Sequence, residues 1–241
     1  MDSLRGMAIV MMVISNIVTD ITYFGVYSAG TYSGFWLLFA RLVVSMFIFL
    51  VGLSLTLSYS RVRHMKTREI HAKYIRRGLK ILGWGLIITM VTLAFLGGDF
   101  IIFGVLHFIG VAIILSHFLL RYRLPNLILG IILISAGIIL QGMTFGFWWL
   151  VWLGFQPYGF FSVDYVPLLP WLGVVLLGIF SGNVLYPGGR RRLTPPDLSS
   201  NSIIRPLSLL GRNSLLIYLV HQPVLIALLW LLFPLPLRLP V

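Results

Sequence analysis

Seven stretches of mostly apolar residues constrain this chain more than any other feature. They run near residues 6–27, 35–59, 78–97, 100–120, 126–144, 166–185 and 213–233. An α-helix needs about 20 such residues to cross the hydrocarbon core of a bilayer. The runs lack the alternation of membrane β-strands. The sequence therefore predicts an all-α, polytopic membrane helix bundle of about seven transmembrane helices, organised as a single domain over residues 1–241.

Composition supports this class. Hydrophobic residues make up 59% of the chain and charged residues 10%, whereas soluble domains have roughly 45–50% and about 25%. A soluble enzyme, a disordered chain and a collagen-like fibre are excluded. There is no cysteine, and the five histidines lack the spacing of a metal-binding helix face. The sequence predicts no metal site.

The positive charge lies on one side of the predicted bundle. The net charge is +12, and sixteen of the eighteen Lys and Arg residues fall at Arg5, in a basic loop at 60–80, at Arg121 and Arg123, and in a flexible basic linker at 186–212. The positive-inside rule places these segments and the N-terminus in the cytoplasm and the C-terminus outside, across the plasma membrane. This sidedness accounts for the charge without a nucleic-acid partner.

Few ionisable residues lie within the spans, where each is a candidate for function. Asp20, Arg41 and His107 sit six or seven residues from the outer boundary of their spans, which is about 10 Å below the surface. One interpretation is an Asp20–Arg41 pair that locks spans 1 and 2. The other is a carboxylate–arginine pair that, with the histidine, orients a base. His221 lies deeper, in span 7, either as a helix–helix hydrogen bond or as a rival base.

A polar stripe follows the first span. Arg5, Asn16 and Asp20 point within about 60° of one another on an α-helix. Such a stripe fits hydrogen-bonded packing on neighbouring helices, and it fits a water-accessible or ligand-lined core equally well.

The outer segment 145–165 is aromatic and carries no Lys or Arg. Trp148, Trp149 and Trp152 indicate an interfacial belt, or alternatively a stacking platform for a sugar ring or a lid over a cavity. Asp164 precedes the sixth span, where it could cap the following helix or contact a substrate.

The chain resembles the heparan-alpha-glucosaminide N-acetyltransferase catalytic-domain family, and more closely its short prokaryotic branch. Five segments carry the resemblance in the family's order: DSLRGMAIVMMVISN, FIFLVGLSLTL, FGVLHFIGVAIIL, PWLGVVLLGIFSG and NSLLIYLVHQPV. The resemblance implies a membrane acyltransferase whose central cavity takes acetyl-CoA from the cytoplasm. The acetyl group then passes to an amine or hydroxyl of a sugar or glycan outside. A lipid bilayer is the implied surrounding, and a homodimer is compatible with it.

The resemblance also places motif residues on this chain. The Asp-x-x-Arg-Gly motif falls on Asp2, Arg5 and Gly6, the active-site Asn on Asn16, and the motif of span 7 on Asn213, Ser214 and His221. Two positions depart from the family. The catalytic histidine about eleven residues after the Asn is replaced by Tyr27, and the acidic residue of span 2 by Arg41.

Roles follow from the chemistry of acyl transfer, which needs a base and donors for the oxyanion. His107 is the expected base, and His221 is the rival that matches the family better. Asn16 is expected to donate to the thioester oxygen. Asp20 is expected to orient the histidine or the amine. CoA is expected at Arg5, Arg212, Asp2 and Asn213, with its phosphates on the arginines and with Arg76 and Arg77 as further candidates for them. The acceptor is expected at Arg41, Asp164 and Trp149. The alternatives are a transporter or channel for a small polar or lipidic solute, and a non-catalytic scaffold.

The topology is directly testable. Reporter fusions at residue 70 and at the C-terminus should report opposite sides of the membrane, because the basic segments lie on one side and the number of spans is odd. Two reporters on the same side would show that the number of spans is even.

Overall fold

The computed structural model describes residues 1–26, 33–96, 100–187 and 204–233. The helices in these ranges are α1 (Asp2–Tyr23), α2 (Gly34–Val62), α3 (Thr67–Leu96), α4 (Val105–Ser116), α5 (Leu124–Leu140), α6 (Leu168–Leu185), α7 (Ile204–Arg212) and α8 (Ser214–Leu232). A 3₁₀ turn, His117–Leu119, extends α4. The outer segment holds another 3₁₀ turn, Val151–Leu153, and two short parallel strands, β1 (Thr144–Phe145) and β2 (Gln156–Pro157). The all-α prediction is confirmed.

Five of the described helices, α1, α2, α3, α6 and α8, are long and apolar enough to cross a bilayer, with a mean hydropathy of 1.6 to 2.3. Large apolar side chains are exposed along them, such as Met90 (75%) and Leu231 (81%). In a membrane these side chains face lipid rather than water. The chain is therefore a membrane helix bundle, as predicted.

The predicted fourth and fifth spans are shorter than expected. With its 3₁₀ turn, α4 covers Val105–Leu119, and α5 covers Leu124–Leu140. At 1.5 Å per residue these helices are about 22 Å and 25 Å long, against about 30 Å for the hydrocarbon core. The fourth span was predicted from residue 100, but Gly104 is extended (φ −90°, ψ −173°) and α4 begins after it.

The segment 60–80 was predicted as a loop, and this is wrong for most of its length. α2 continues to Val62 and α3 begins at Thr67. The many cations favoured a loop, but the segment also has an amphipathic pattern. Its residues Ile70, Tyr74 and Gly78 are spaced four apart and are buried on one face of the helix. Charged side chains occupy the other faces of the same helix.

The predicted linker at 186–212 also contains a helix, α7, with Pro206 in its first turn, where proline is tolerated. Residues 188–203 of that linker, Tyr27 and most of the outer loop 28–34 lie outside the described residues.

The described chain forms two compact units. The first holds α1, α2 as far as Phe47, α7 and α8; the second holds the rest of α2 and α3 to α6. In the first unit α1 and α7 approach so closely that a β-carbon on Gly6 would collide with the Leu207 carbonyl, and one on Gly211 with the Asp2 carbonyl. Only glycine permits this backbone-to-backbone contact.

Helix pairs in the second unit also cross at small residues. Gly52 of α2 meets Gly178 of α6, Gly78 of α3 meets Gly110 of α4, and Gly130 of α5 meets Gly173 of α6. Close backbone approach at paired glycines is typical of helices that associate in a membrane.

These contacts predict opposite effects for one kind of substitution. Gly83→Ala in α3 meets open space, so it should raise or keep stability through helix propensity, by up to about 1 kcal/mol. Gly6→Ala and Gly211→Ala should lower stability by about 1–3 kcal/mol, because the methyl group forces two backbones apart. Thermal unfolding in detergent measures the difference. A Gly6→Ala protein as stable as Gly83→Ala would contradict the α1–α7 contact.

Candidate active site

A side-chain hydrogen bond joins α1 to α8 in the first unit. Asn16 Nδ2 lies 2.7 Å from His221 Nε2. Both residues are half-buried and lie within helices long and apolar enough to span the membrane. An amide and an imidazole therefore meet between two apolar helices.

The partners of His221 fix its tautomer. Nδ1 lies 2.7 Å from the Tyr218 carbonyl oxygen, which can only accept a hydrogen bond. Nδ1 must therefore carry the proton, and Nε2 presents a lone pair to the Asn16 amide. A neutral imidazole with its lone pair held by a side-chain amide has the form that a general base requires.

A second polar pair lies one helical turn along α1. Gln222, which follows His221, donates from Nε2 to Asp20 Oδ1 at 2.8 Å. Asp20 is only 7% exposed. Its other oxygen, Oδ2, is buried and has no hydrogen-bond partner within the described ranges. A buried carboxylate oxygen without a donor is costly, so this oxygen is a ready acceptor for an N–H or O–H group.

The predicted Asp20–Arg41 pair does not form. No ion pair joins these residues among the described side chains, because Asp20 is buried against Gln222 while Arg41 lies exposed on α2. Arg41 contributes a backbone acceptor there, since Ser45 Oγ donates to its carbonyl oxygen at 2.7 Å. The structure therefore does not bear out the interpretation in which this pair locks spans 1 and 2.

His107 belongs to the second unit, where both of its ring nitrogens have partners. The backbone N–H of Gly104 donates to Nδ1 at 3.3 Å, and Nε2 lies 3.2 Å from Thr89 Oγ1. Thr89 donates its own hydroxyl proton to the Ile101 carbonyl oxygen at 2.7 Å, so it accepts from the imidazole. His107 is 4% exposed, and its ring accepts a backbone hydrogen bond at the N-terminus of α4.

The Asp-x-x-Arg-Gly motif holds α1 against α7. The Asp2 carboxylate lies 3.7 Å from Arg5 and 3.6 Å from Arg212. The Arg212 side chain remains 69% exposed, so it keeps donors for a further anion. Asn213, predicted beside them, donates from Nδ2 to the Leu209 carbonyl oxygen at 3.1 Å and joins α7 to α8.

Asp164 caps a helix, but a different one from the helix that follows it in sequence. Its Oδ2 accepts from the backbone N–H of Val105 at 3.0 Å, at the start of α4. Trp149 lies in the outer segment and is 71% exposed, and its carbonyl oxygen accepts from Trp152 Nε1 at 2.9 Å. Tyr165 anchors the segment by donating to the Val151 carbonyl oxygen at 2.7 Å; burial raises the pKa of this hydroxyl to about 12, so it stays protonated.

Sequence reasoning missed two features. Gln222 is not among the predicted site residues, although a polar residue beside an intramembrane histidine signals a second contact. His71 and His117 form a pair, with 2.8 Å between His71 Nδ1 and His117 Nε2. That pair is not predicted because His71 lies in the segment 60–80, which was predicted to be a loop and is helical at this point. The described residues contain no group of three or more potential metal ligands.

These contacts define a class of protein: an all-α membrane protein with a carboxylate, two amides and an imidazole between apolar helices. The catalytic-domain model of heparan-alpha-glucosaminide N-acetyltransferase matches residues 1–223, a region that includes both polar pairs. The chain therefore belongs to this family of membrane acetyltransferases, which use acetyl-CoA as co-substrate. Comparisons with curated proteins and with solved structures find no significant match.

Proposed function

We propose that the protein moves an acetyl group from cytoplasmic acetyl-CoA to an amine or hydroxyl of an extracytoplasmic sugar or glycan, with His221 as the general base. The Asn16–His221 contact carries the proposal. It joins the residue at the family's active-site Asn position to an imidazole whose Nε2 lone pair accepts from that residue's amide.

His221 and Asn16 are the two side chains that take part in the chemical step. The acceptor nitrogen or oxygen attacks the thioester carbonyl carbon, and a C–N or C–O bond replaces the C–S bond. His221 Nε2 takes the acceptor's proton and returns it to the departing thiolate, so that CoA leaves as the thiol. When the acceptor binds at Nε2, the Asn16 amide is released from the ring and can donate to the carbonyl oxygen as negative charge develops there.

Asp20 supplies a place for the acceptor. Its Oδ2 is buried without a donor, and Asp20 lies one turn from Asn16 on the stripe of α1. An N–H or O–H group of a sugar would satisfy this oxygen and hold the nucleophile next to His221. Gln222 keeps the carboxylate in position through Oδ1.

The donor's phosphates fit the basic end of the same unit. Arg5 and Arg212 flank one carboxylate, Asp2, so the cluster keeps a net positive charge. Guanidinium groups bind phosphate through charge-assisted hydrogen bonds. Acetyl-CoA would thus enter from the cytoplasmic side, where the positive-inside rule places this end of α1.

His221 is a better base than His107, which the sequence favoured. The lone pair of His107 Nδ1 is filled by a backbone N–H at the start of a helix, and its Nε2 proton is donated to Thr89. Accepting a substrate proton there would break the start of α4. At His221 the competing donor is a side-chain amide, which can rotate away.

Matched substitutions test this assignment. His221→Gln should lower release of the CoA thiol, measured with acetyl-CoA and glucosamine as probes, by about 10²–10⁴-fold, the usual effect of losing a general base. His107→Gln should lower thermal stability but keep turnover per folded molecule. Asp20→Asn should raise KM for glucosamine and leave acetyl-CoA binding unchanged.

Other results would move or remove the site. Loss of turnover in folded His107→Gln, with His221→Gln active, would assign the base to α4. Unchanged turnover in both variants would make both histidines structural. A wild-type protein that releases no thiol with a panel of amino and hydroxy sugars would contradict acetyl transfer itself.

Donor binding has its own test. Arg5→Gln or Arg212→Gln should weaken acetyl-CoA binding, measured by calorimetry, by about 1.5–3 kcal/mol for a lost charge-assisted bond. Arg205→Gln removes an exposed charge from the same helix as Arg212 and should leave the affinity unchanged. Equal losses in all three variants would indicate general electrostatic attraction rather than a phosphate site.

A further inference from the structure

Four cations form a stripe on α3, which belongs to the second unit. Lys73, Arg76, Arg77 and Lys80 are all exposed and fall within an arc of about 100° at 100° per residue. They line an open groove of about 480 Å³, together with Ala72 and one counter-charge, Glu69. We call these four residues the cationic stripe. Within the described residues Lys73, Arg76 and Lys80 form no ion pair.

The stripe continues directly into a lipid-facing surface. The same face of α3 carries Trp84, Ile87, Val91 and Phe95, which are 38%, 52%, 50% and 66% exposed. Measured from the centre of the stripe, the buried residues Tyr74 and Gly78 point about 110° and 150° away, and buried Ile70 points about 70° away. A lipid whose chains lie along Trp84 and Ile87 would therefore place its headgroup at Lys80 and the cations beyond it.

We infer that the cationic stripe binds the headgroup phosphate of an anionic phospholipid, whose acyl chains lie on the apolar continuation of the same face. Clustered Lys and Arg at the membrane boundary of a span attract anionic lipid, each contributing to the affinity. Arginine adds directional hydrogen bonds to phosphate, and an open groove suits a headgroup that stays attached to the bilayer. The inference is independent of acetyl transfer as proposed above, which places the CoA phosphates at Arg5 and Arg212 and uses no residue of the cationic stripe.

Trp84 provides the measurement. The full chain is placed in phosphatidylcholine vesicles with either phosphatidylglycerol or phosphatidylcholine brominated in its acyl chains, which quenches nearby tryptophan. The signal of Trp84 is the difference between this protein and Trp84→Phe. We expect brominated phosphatidylglycerol to quench Trp84 at a much lower mole fraction in the vesicle than brominated phosphatidylcholine does. The difference should be at least about 10-fold, since several charges act together. Raising the salt concentration should reduce this preference.

A matched pair of variants separates a site from a general field. Replacing the four residues of the stripe by Gln should abolish the preference. Replacing Arg61, Arg63, Lys66 and Arg68 by Gln removes the same charge from the neighbouring exposed positions and should preserve it. Retained helicity by circular dichroism confirms that each variant is folded.

Three results would overturn the inference. The wild-type protein could show no preference for phosphatidylglycerol or no dependence on salt, which needs no variant to establish. Both variants could lose the preference equally, which would show a diffuse field. Soluble CoA could displace the brominated phosphatidylglycerol from Trp84, which would assign the groove to the phosphates of a soluble ligand instead.

Discussion

Polar side chains inside an apolar segment must find partners there, because lipid offers none, and this constraint organises the first unit. Asn16 and Asp20 are four residues apart on α1, and they meet the adjacent residues His221 and Gln222 on α8. The two contacts fix both the rotation and the height of α8 against α1. Four polar side chains are paired in this way, and Asp20 Oδ2 is left without a donor within the described residues. The proposed binding of the acceptor depends on this oxygen of Asp20.

The sequence predicts the helices well, because the length of an apolar run is a local property. It fails where a local signal is ambiguous. The run from residue 100 looked continuous, but the backbone is extended at Gly104 and the helix starts only after it. The charges of residues 67–80 favoured the prediction of a loop. The four-residue spacing of Ile70, Tyr74 and Gly78 indicates a helix, but the prediction gave this spacing less weight than the charges.

The sequence predicts residues on both sides of the site, Asn16 and Asp20 on α1 and His221 on α8, but it does not predict how they pair. The stripe of Asn16 and Asp20 follows from helix geometry and is present on α1. Its partners lie 205 and 202 residues away, and no local pattern states which face of α8 turns towards α1. Depth alone suggested Asp20, Arg41 and His107 as a group. Depth is a weak guide because residues at one level can face in different directions, as the exposed Arg41 does.

The Asp-x-x-Arg-Gly motif carries a consequence for how sequences of this kind should be interpreted. In this chain Asp2 pairs with arginines, and Gly6 lets α1 touch α7. These are conditions for assembling the helices, and they are met before any substrate arrives. A relative could keep the motif and the packing while losing the amide or the imidazole deeper in the bundle. The Asp and Gly of the motif then report common architecture. Under the proposed mechanism, the positions that report the chemistry are those of Asn16, eleven residues beyond Arg5 in α1, and His221, nine residues past the end of α7.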